Sequence, residues 1–393
     1  MKKRSVYLDN ASTTPLDKGV FSAMLPYFQK NYANPSNLYE IGRIARESID
    51  LAKSEISHIL HSRPEEIFFT SSATESDNLA VLGVARANKK YGNKIIISEI
   101  EHKSVLEACQ ALKKEGFKIV RLPVDQNGLV SLADLKKNLD KKTVLVSITM
   151  ADSETGTLQP ISEISKIVRR FRQKNSYPYL HTDASQAGGY ENLDVLKLGV
   201  DLMTISSHKI GGPKGVAGLY IKSAVRIEPV IYGGGQQNGL RSSTENVPGI
   251  VGFGQALKIS EKRKKTEYGR LKKLRDMLEK GISESISGIV FSGHRVKRLP
   301  NFSNVSFSGL DAEVLLFYLD NLGIIVSTGS ACNSDNTDQS YILKSIGLKK
   351  DYIGGTIRFS LGTNTKTEDI KYVLKHLPVV VEKLRQAQKT AFN

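Results

Sequence analysis

Between residues 66 and 221, seven short apolar runs alternate with longer stretches of helical periodicity. The runs, Glu66–Thr70, Lys94–Ser98, Lys118–Val124, Thr143–Thr149, Tyr179–Thr182, Leu202–Ser206 and Ala217–Ile221, predict strands. The spacing between them predicts helices over Thr74–Lys89, Ser104–Lys114, Leu132–Asn138 and Ile161–Gln173. Such alternation demands an α/β fold, a mostly parallel seven-stranded sheet with helices on both faces. Ligands of such sheets gather at the carboxyl ends of the strands.

After Gly249 the pattern changes. A long helix is predicted over Gly254–Ile286, followed by short elements at Asn304–Ser308, Asp311–Asn321, Ile324–Ser327, Thr356–Ser360 and Thr367–Gln386. This predicts a smaller α+β domain. The expected boundaries are 17–250 for the large domain, and 1–16 with 251–393 for the small one. No internal repeat or low-complexity segment interrupts the chain.

The 393 residues, 40% hydrophobic and 24% charged, give room for two such cores. The longest apolar run, near Thr143–Met150, is too short to span a bilayer. Met1-Lys2-Lys3-Arg4 looks like the start of a signal peptide, but Asp9 and Asn10 arrive before an apolar segment forms. A cytoplasmic location is expected. Two cysteines, Cys109 and Cys332, exclude a disulfide framework and a cysteine-rich metal site. The net charge of +16 suits acidic partners, nucleic acid included. The lysines, however, are scattered over amphipathic helices as a solvated surface, and no arginine-rich tract with interleaved aromatics appears.

Chemistry concentrates at the predicted strand ends. Lys209 follows the run ending at Ser206, in Ser206-Ser207-His208-Lys209, and is placed to carry a Schiff base. The run before it ends in Asp183. A Schiff-base lysine and an aspartate for a pyridinium nitrogen are the minimum protein chemistry of a pyridoxal phosphate enzyme. Thr70-Ser71-Ser72-Ala73-Thr74 opens a predicted helix, where backbone N–H groups, hydroxyls and the dipole attract an anion. An N-cap alone needs only one of these hydroxyls; beside Ser206, His208 and Lys209, a phosphate site is favoured. His102 follows the strand Lys94–Ser98, where it can stack on a cofactor ring and shuttle protons, or simply cap a helix.

Cys332 lies in a small, polar segment almost without apolar anchors. An accessible thiol in such a loop reads as a nucleophile. Val105, Cys109 and Leu112 share a helical face, so Cys109 reads as core. Arg358, inside an apolar strand, needs an anionic partner, either a substrate carboxylate or a structural acid. His58 and His61 lack a third ligand nearby and read as exposed helix residues, so no metal site is expected.

Together these motifs resemble the group I cysteine desulfurases of the nitrogen-fixation and iron–sulfur-cluster type, in the class V aminotransferase superfamily, fold type I. The resemblance runs from Tyr7-Leu8-Asp9-Asn10-Ala11-Ser12-Thr13-Thr14-Pro15 to Arg358-Phe359-Ser360-Leu361-Gly362. Between them it passes through Ala73-Thr74-Glu75-Ser76-Asp77-Asn78, Glu101-His102-Lys103, Thr182-Asp183-Ala184-Ser185-Gln186, Ser207-His208-Lys209, Arg241-Ser242-Ser243-Thr244-Glu245-Asn246 and Gly329-Ser330-Ala331-Cys332. It implies a homodimer that uses pyridoxal 5'-phosphate to convert L-cysteine to L-alanine. Lys209 is implied as the Schiff-base lysine that later moves the α-proton, with Asp183 on the pyridinium nitrogen, His102 on the ring and Gln186 on its phenolic oxygen. Thr74, Ala73, Ser206 and His208 are implied at the phosphate, with Thr244 reaching in from the other subunit. Arg358, Ser153 and Asn34 are implied on the substrate side, and Cys332 as the thiol that takes the sulfur as a persulfide. Iron–sulfur scaffolds or thiolation enzymes are the implied acceptors, with transient tRNA contact.

The chain departs from the family pattern in places. The usual Asn-Asn-Glu-x-Gly is here Asp152-Ser153-Glu154-Thr155-Gly156, so Ser153 stands where an asparagine touches both ring oxygen and substrate carboxylate. One lost hydrogen bond of that kind costs about 1–3 kcal/mol, or roughly ten- to a hundredfold in rate. Gly211 stands where tyrosine is common and Ser243 where glycine is common. After Cys332 the usual apolar-Glu-Pro segment is missing. Two alternatives stay open: a selenocysteine lyase or other class V enzyme, and a catalytically weakened member acting as an assembly partner.

Overall fold

The computed structural model describes residues 4–172, 177–328 and 340–391. Among them the strands are β1 (Val6–Tyr7), β2 (Ile67–Thr70), β3 (Lys94–Ser98), β4 (Lys118–Leu122), β5 (Thr143–Ser147), β6 (Tyr179–Asp183), β7 (Leu202–Ser206), β8 (Ala217–Ile221), β9 (Ile289–Ser292), β10 (Phe302–Phe307), β11 (Ile324–Ile325) and β12 (Thr356–Ser360). Seven of them form one sheet in the order β2-β8-β7-β6-β5-β3-β4. β8 runs antiparallel to β2 and β7, and the remaining pairs are parallel. All seven apolar runs are thus strands of a single sheet.

The reason lies in the side-chain period of two. Ile96 packs into a core on one face with Val146, Leu180, Met203 and Ile205. Ile95 and Ile97 pack on the other with Leu145, Leu202 and Leu219. A strand buried on both faces must be apolar throughout, which is why these runs do not alternate. Helices cover both faces. Among them Ile161–Arg172 sends Ile161, Ile164 and Val168 into the first core, and Lys103–Lys114 sends Val105, Cys109 and Leu112 into the second.

Two long helices depart from expectation in instructive ways. Glu40–Leu60 was not predicted, yet it buries Ala45, Ile49, Ala52, Ile56 and Leu60 at helical spacing. The long helix spans Val247–Ser285 and starts seven residues before the expected Gly254. Its early glycines read as breakers but serve packing. A Cβ on Gly252 would lie 2.7 Å from the Met24 sulfur, and one on Gly254 would lie 3.2 Å from the Ala52 Cβ. Close helix–helix approach needs glycine there, and Asn246 caps the turn by accepting from the Gly249 N–H at 3.1 Å.

A second body of structure gathers on β12-β10-β9, an antiparallel sheet. Its core joins Val305, Phe307, Ile357 and Phe359 to Leu271, Leu278 and Ile282 of the long helix and to Ile370, Val373 and Leu377 of the helix Thr367–Ala391. Val6 and Leu8 lie in this core, and β1 pairs in parallel with β11. Asp9 bridges to Ser360, so the segment after β1 crosses from this core toward the ends of β6 and β7. Among the described residues no helix is long and apolar enough to cross a membrane.

Candidate active site

The strand order reverses between β3 and β5, and polar residues collect at the carboxyl ends around that point. β6 ends in Asp183, 7% exposed, whose Oδ1 accepts from the Ser185 N–H at 2.8 Å. β7 ends in Ser206 and passes into a single 3-10 turn, Ser207–Lys209. The Lys209 amine donates to the Ala11 carbonyl at 2.8 Å, and Gln186 Nε2 donates to the same oxygen at 3.2 Å. The N-terminal segment thus lies against the lysine. Thr14 donates twice to the His208 carbonyl, through N–H at 2.9 Å and Oγ1 at 2.8 Å. Burial and the charges of Lys209 and Lys214 push the His208 imidazole down to about 4, so it is neutral near pH 7.

Ser206 Oγ is buried and has no hydrogen-bond partner among the described residues. The nearby helix begins at Ala73, earlier than expected, because Ser72 caps it by accepting from the Glu75 N–H at 3.1 Å. Ala73 and the exposed Thr74 therefore stand in its first turn, where unpaired N–H groups attract anions. Arg241 grips Glu75 through two nitrogens at 2.7 and 3.3 Å, fixing the segment of Ser243 and Thr244 beside this helix. Thr244 is exposed, and Ser243 holds φ at +147°, a backbone that favours glycine.

His102 caps the helix Lys103–Lys114, its Nδ1 accepting from the Ser104 N–H at 3.2 Å. Burial, with the charges of Lys209 and Lys103, lowers the ring below the usual histidine range, and Asp183 opposes this. Glu101, beside it, is fully buried and accepts from the Ser98 hydroxyl and from the Thr149 N–H at 2.9 Å. Burial pushes its carboxyl up to about 8.

Arg358 projects from β12 into this region. Nη1 donates to the Ser153 carbonyl, and Nη2 donates to Asp9 Oδ1 and to Ser12 Oγ, each at 2.8 Å. The structural acid that the sequence left open is therefore present, while Nε keeps no partner among the described residues. Asp152 shapes the turn carrying Ser153 by accepting from the N–H groups of Glu154, Thr155 and Thr157 at 2.9, 2.7 and 3.0 Å. Glu154 Oε2 accepts from the Ser340 hydroxyl at 2.6 Å, and burial pushes its carboxyl up to about 7. Asn34 is exposed and folds its own loop, accepting from the Ser36 N–H at 2.9 Å.

Cys332 lies outside the described residues. Cys109 is buried in the sheet core, its thiol pushed up to about 12, which leaves it inert as a nucleophile. His58 and His61 are exposed, and His61 ends its helix in the left-handed conformation. Sequence reasoning gave no role to the Ala11 carbonyl or to Asp77, Glu101 and Ser104. Asp77 and Glu101 stand inside matched motifs, but the burial of an acid is invisible in one chain's sequence.

The sequence matches the family described as Aminotransferase class-V over residues 6–373. It is 45% identical over 383 residues to a protein named cysteine desulfurase IscS from Dictyoglomus turgidum, covering 98% of this chain and 96% of that one. It is 43% identical over 384 residues to a protein of the same name from Methanosarcina thermophila, covering 98% and 94%. Among solved structures, a NifS-like protein superposes with a TM-score of 0.91 at 36% identity, covering 97% of this chain and 100% of that one.

Proposed function

The chain belongs to the class-V aminotransferase family, and we infer that it is a pyridoxal-phosphate-dependent L-cysteine desulfurase that passes sulfur onward through Cys332. The observation that carries the reading is the convergence of Lys209, Asp183 and Gln186 at the carboxyl ends of β6 and β7 beside an orphaned hydroxyl at Ser206. These residues fit pyridoxal phosphate. A buried serine oxygen with no partner among the described residues, close in sequence to a neutral histidine, and a helix opening at Ala73 and Thr74 together make a donor set for a phosphate. Lys209 would hold the group through its amine, Asp183 would pair with the ring nitrogen, and Gln186 and Ser153 would donate toward the ring oxygen. Bound there, the group supplies an electron sink that makes the substrate's Cα proton labile and weakens its Cβ–S bond.

The chain's own residues do the rest. Lys209 moves the α-proton, and His102, neutral at pH 7, exchanges protons through its ring. Arg358, with Ser153 and Asn34, takes the substrate carboxylate. The Cys332 thiolate attacks the substrate sulfur. A sulfur–sulfur bond forms, the Cβ–S bond breaks with its electron pair left on carbon, and Cβ is protonated to give alanine.

A homodimer completes the reading. Phe21, Phe28, Tyr32, Leu38 and Tyr232 are all at least 50% exposed, more apolar surface than a lone chain needs. The exposed Thr244 would reach the partner's phosphate end. Residues 17–250 form one domain and 1–16 with 251–393 the other, the site lying where they meet. The acceptor is an iron–sulfur scaffold or thiolation enzyme, with transient tRNA contact helped by the +16 charge. A cytoplasmic setting, where thiols stay reduced, suits a persulfide carrier. The test is to give the purified holoenzyme L-cysteine and a reductant. Alanine and sulfide form in equal amounts if the reading holds, and absent turnover sinks it.

A further inference from the structure

The chain on either side of Cys332 is fastened to residues of the site or next to it. Upstream, Ser327 bridges to Arg358: the Ser327 N–H donates to the Arg358 carbonyl at 3.3 Å, and the Arg358 N–H donates to the Ser327 carbonyl at 2.7 Å. Downstream, Ser340, 4% exposed, donates its hydroxyl to Glu154 Oε2 at 2.6 Å. Its neighbour Tyr341 donates its hydroxyl to the Glu101 carbonyl at 2.7 Å.

The downstream partners sit beside two site residues. Glu154 follows Ser153 in the turn after β5, and Glu101 precedes His102 in the turn after β3. These are the strands between which the sheet order reverses. Glu154 is itself fixed, its N–H donating to Asp152 Oδ1 at 2.9 Å and its carbonyl accepting from Asn304 Nδ2 at 3.3 Å. Burial strips water from a carboxylate, so a donor must replace it, and the Ser340 hydroxyl does so. Ser340 also caps the helix Tyr341–Ser345, its Oγ accepting from the Leu343 N–H at 3.1 Å. A cap needs only that acceptance. The donation to Glu154 is additional, and it joins the cap to the turn that carries Ser153. Leu343 is fully buried and packs with Ile346 and Ile353, which holds the helix from behind.

Chain length sets how far Cys332 can stray. It lies five residues after Ser327 and eight before Ser340. At about 3.5 Å per residue its Cα stays within about 18 Å of the first and about 28 Å of the second. Two fixed ends, both at the site, keep the thiol's local concentration there high, and their directions govern how often it meets the substrate sulfur.

We propose that Glu154, Ser340 and Tyr341 are positioning residues for sulfur transfer, tethering the returning end of the Cys332 segment to the turns that carry Ser153 and His102. They act through Cys332 rather than on the substrate. The effect on turnover rests on the desulfurase reading; the tether itself does not.

The experiment uses full-length holoenzyme and two substitutions, Glu154→Ala and Tyr341→Phe. Persulfide on Cys332 is followed after addition of L-cysteine, by mass analysis of the trapped peptide. Separately, solvent deuterium entering Cα of L-alanine reports on Lys209 and the cofactor without any need for a thiol. Persulfide formation should slow about tenfold in each variant, while alanine exchange stays within about twofold of wild type. Glu154→Gln keeps an acceptor for Ser340 and should largely restore transfer. Amide hydrogen exchange across Tyr341–Ser345 should be faster in Glu154→Ala and Tyr341→Phe, but not in Glu154→Gln. Wild-type transfer rates in both folded variants would overturn the proposal. So would a parallel loss of alanine exchange, which would make these contacts supports of the whole pocket. Transfer as slow in Glu154→Gln as in Glu154→Ala would overturn it too. If the wild type forms no persulfide, the desulfurase reading fails and amide exchange alone decides the tether: faster exchange in the two variants upholds it, and unchanged exchange overturns it.

Discussion

Arg358 and Asp9 form an ion pair of 2.8 Å across 349 residues of chain. The same guanidinium reaches the Ser153 carbonyl and the Ser12 hydroxyl, so one side chain ties β12 to the N-terminal segment and to the turn after β5. Arg358 is 4% exposed, and a buried cation of this kind holds its place only through several matched partners. Its planar fork serves them together, which a point charge cannot do.

Arg358→Lys keeps the charge and loses the fork. The account predicts a KM for L-cysteine raised roughly ten- to a hundredfold, from one or two lost charge-assisted bonds. The cofactor's absorption band should be unchanged, since Lys209 and Asp183 do not depend on this side chain. Steady-state kinetics beside an absorption spectrum checks both halves.

Glu101 makes stability depend on pH. Its folded carboxyl titrates at about 8, against an ordinary 4.5 in the unfolded chain. Between those values the folded state binds the extra proton, so stability falls as pH rises through that window. His181, held down to about 4 by burial, acts the other way, adding stability as pH rises from about 4 to its ordinary 6.5. Glu101→Gln removes only the first effect. The variant should match wild type at pH 4 and exceed it at pH 8 by on the order of 1–3 kcal/mol, read by denaturant unfolding at both pH values.

Ser243 carries backbone strain. Its φ of +147° suits glycine, the residue common at this place in the family that the chain resembles. Strain of this sort costs about 1–3 kcal/mol, partly offset by the extra freedom glycine gives the unfolded chain. Ser243→Gly should therefore raise stability by about 1 kcal/mol, measurable as a higher denaturation midpoint at constant slope.

The large sheet was legible because its strands are buried on both faces. Ile95, Ile96 and Ile97 leave no polar alternative at that stretch of chain, and Leu202–Ser206 was read to the residue. The helix Glu40–Leu60 carries an equally clear period, from Ala45 through Ile49, Ala52 and Ile56 to Leu60, but no capping side chain marks its start at Tyr39. The early turns of Val247–Ser285 were hidden by glycines whose purpose appears only when Met24 and Ala52 are packed against them. At the site, residue types and order gave Lys209, Asp183, His102 and Arg358. Long-range polar contacts could not be read. The Ala11 carbonyl meets Lys209 across 198 residues, and the hydroxyl of Ser104 meets Asp77 inside a core that sequence does not display.

The central claim is that sulfur leaves L-cysteine by way of Cys332. The most direct measurement is mass analysis of the peptide carrying Cys332 after brief exposure of the holoenzyme to L-cysteine, with thiols trapped before digestion. The account predicts that peptide one sulfur atom heavier, alanine in matching amount, and neither product in Cys332→Ala despite an intact cofactor band. Alanine formed at the wild-type rate by Cys332→Ala, or added sulfur found on Cys109 instead, would contradict it.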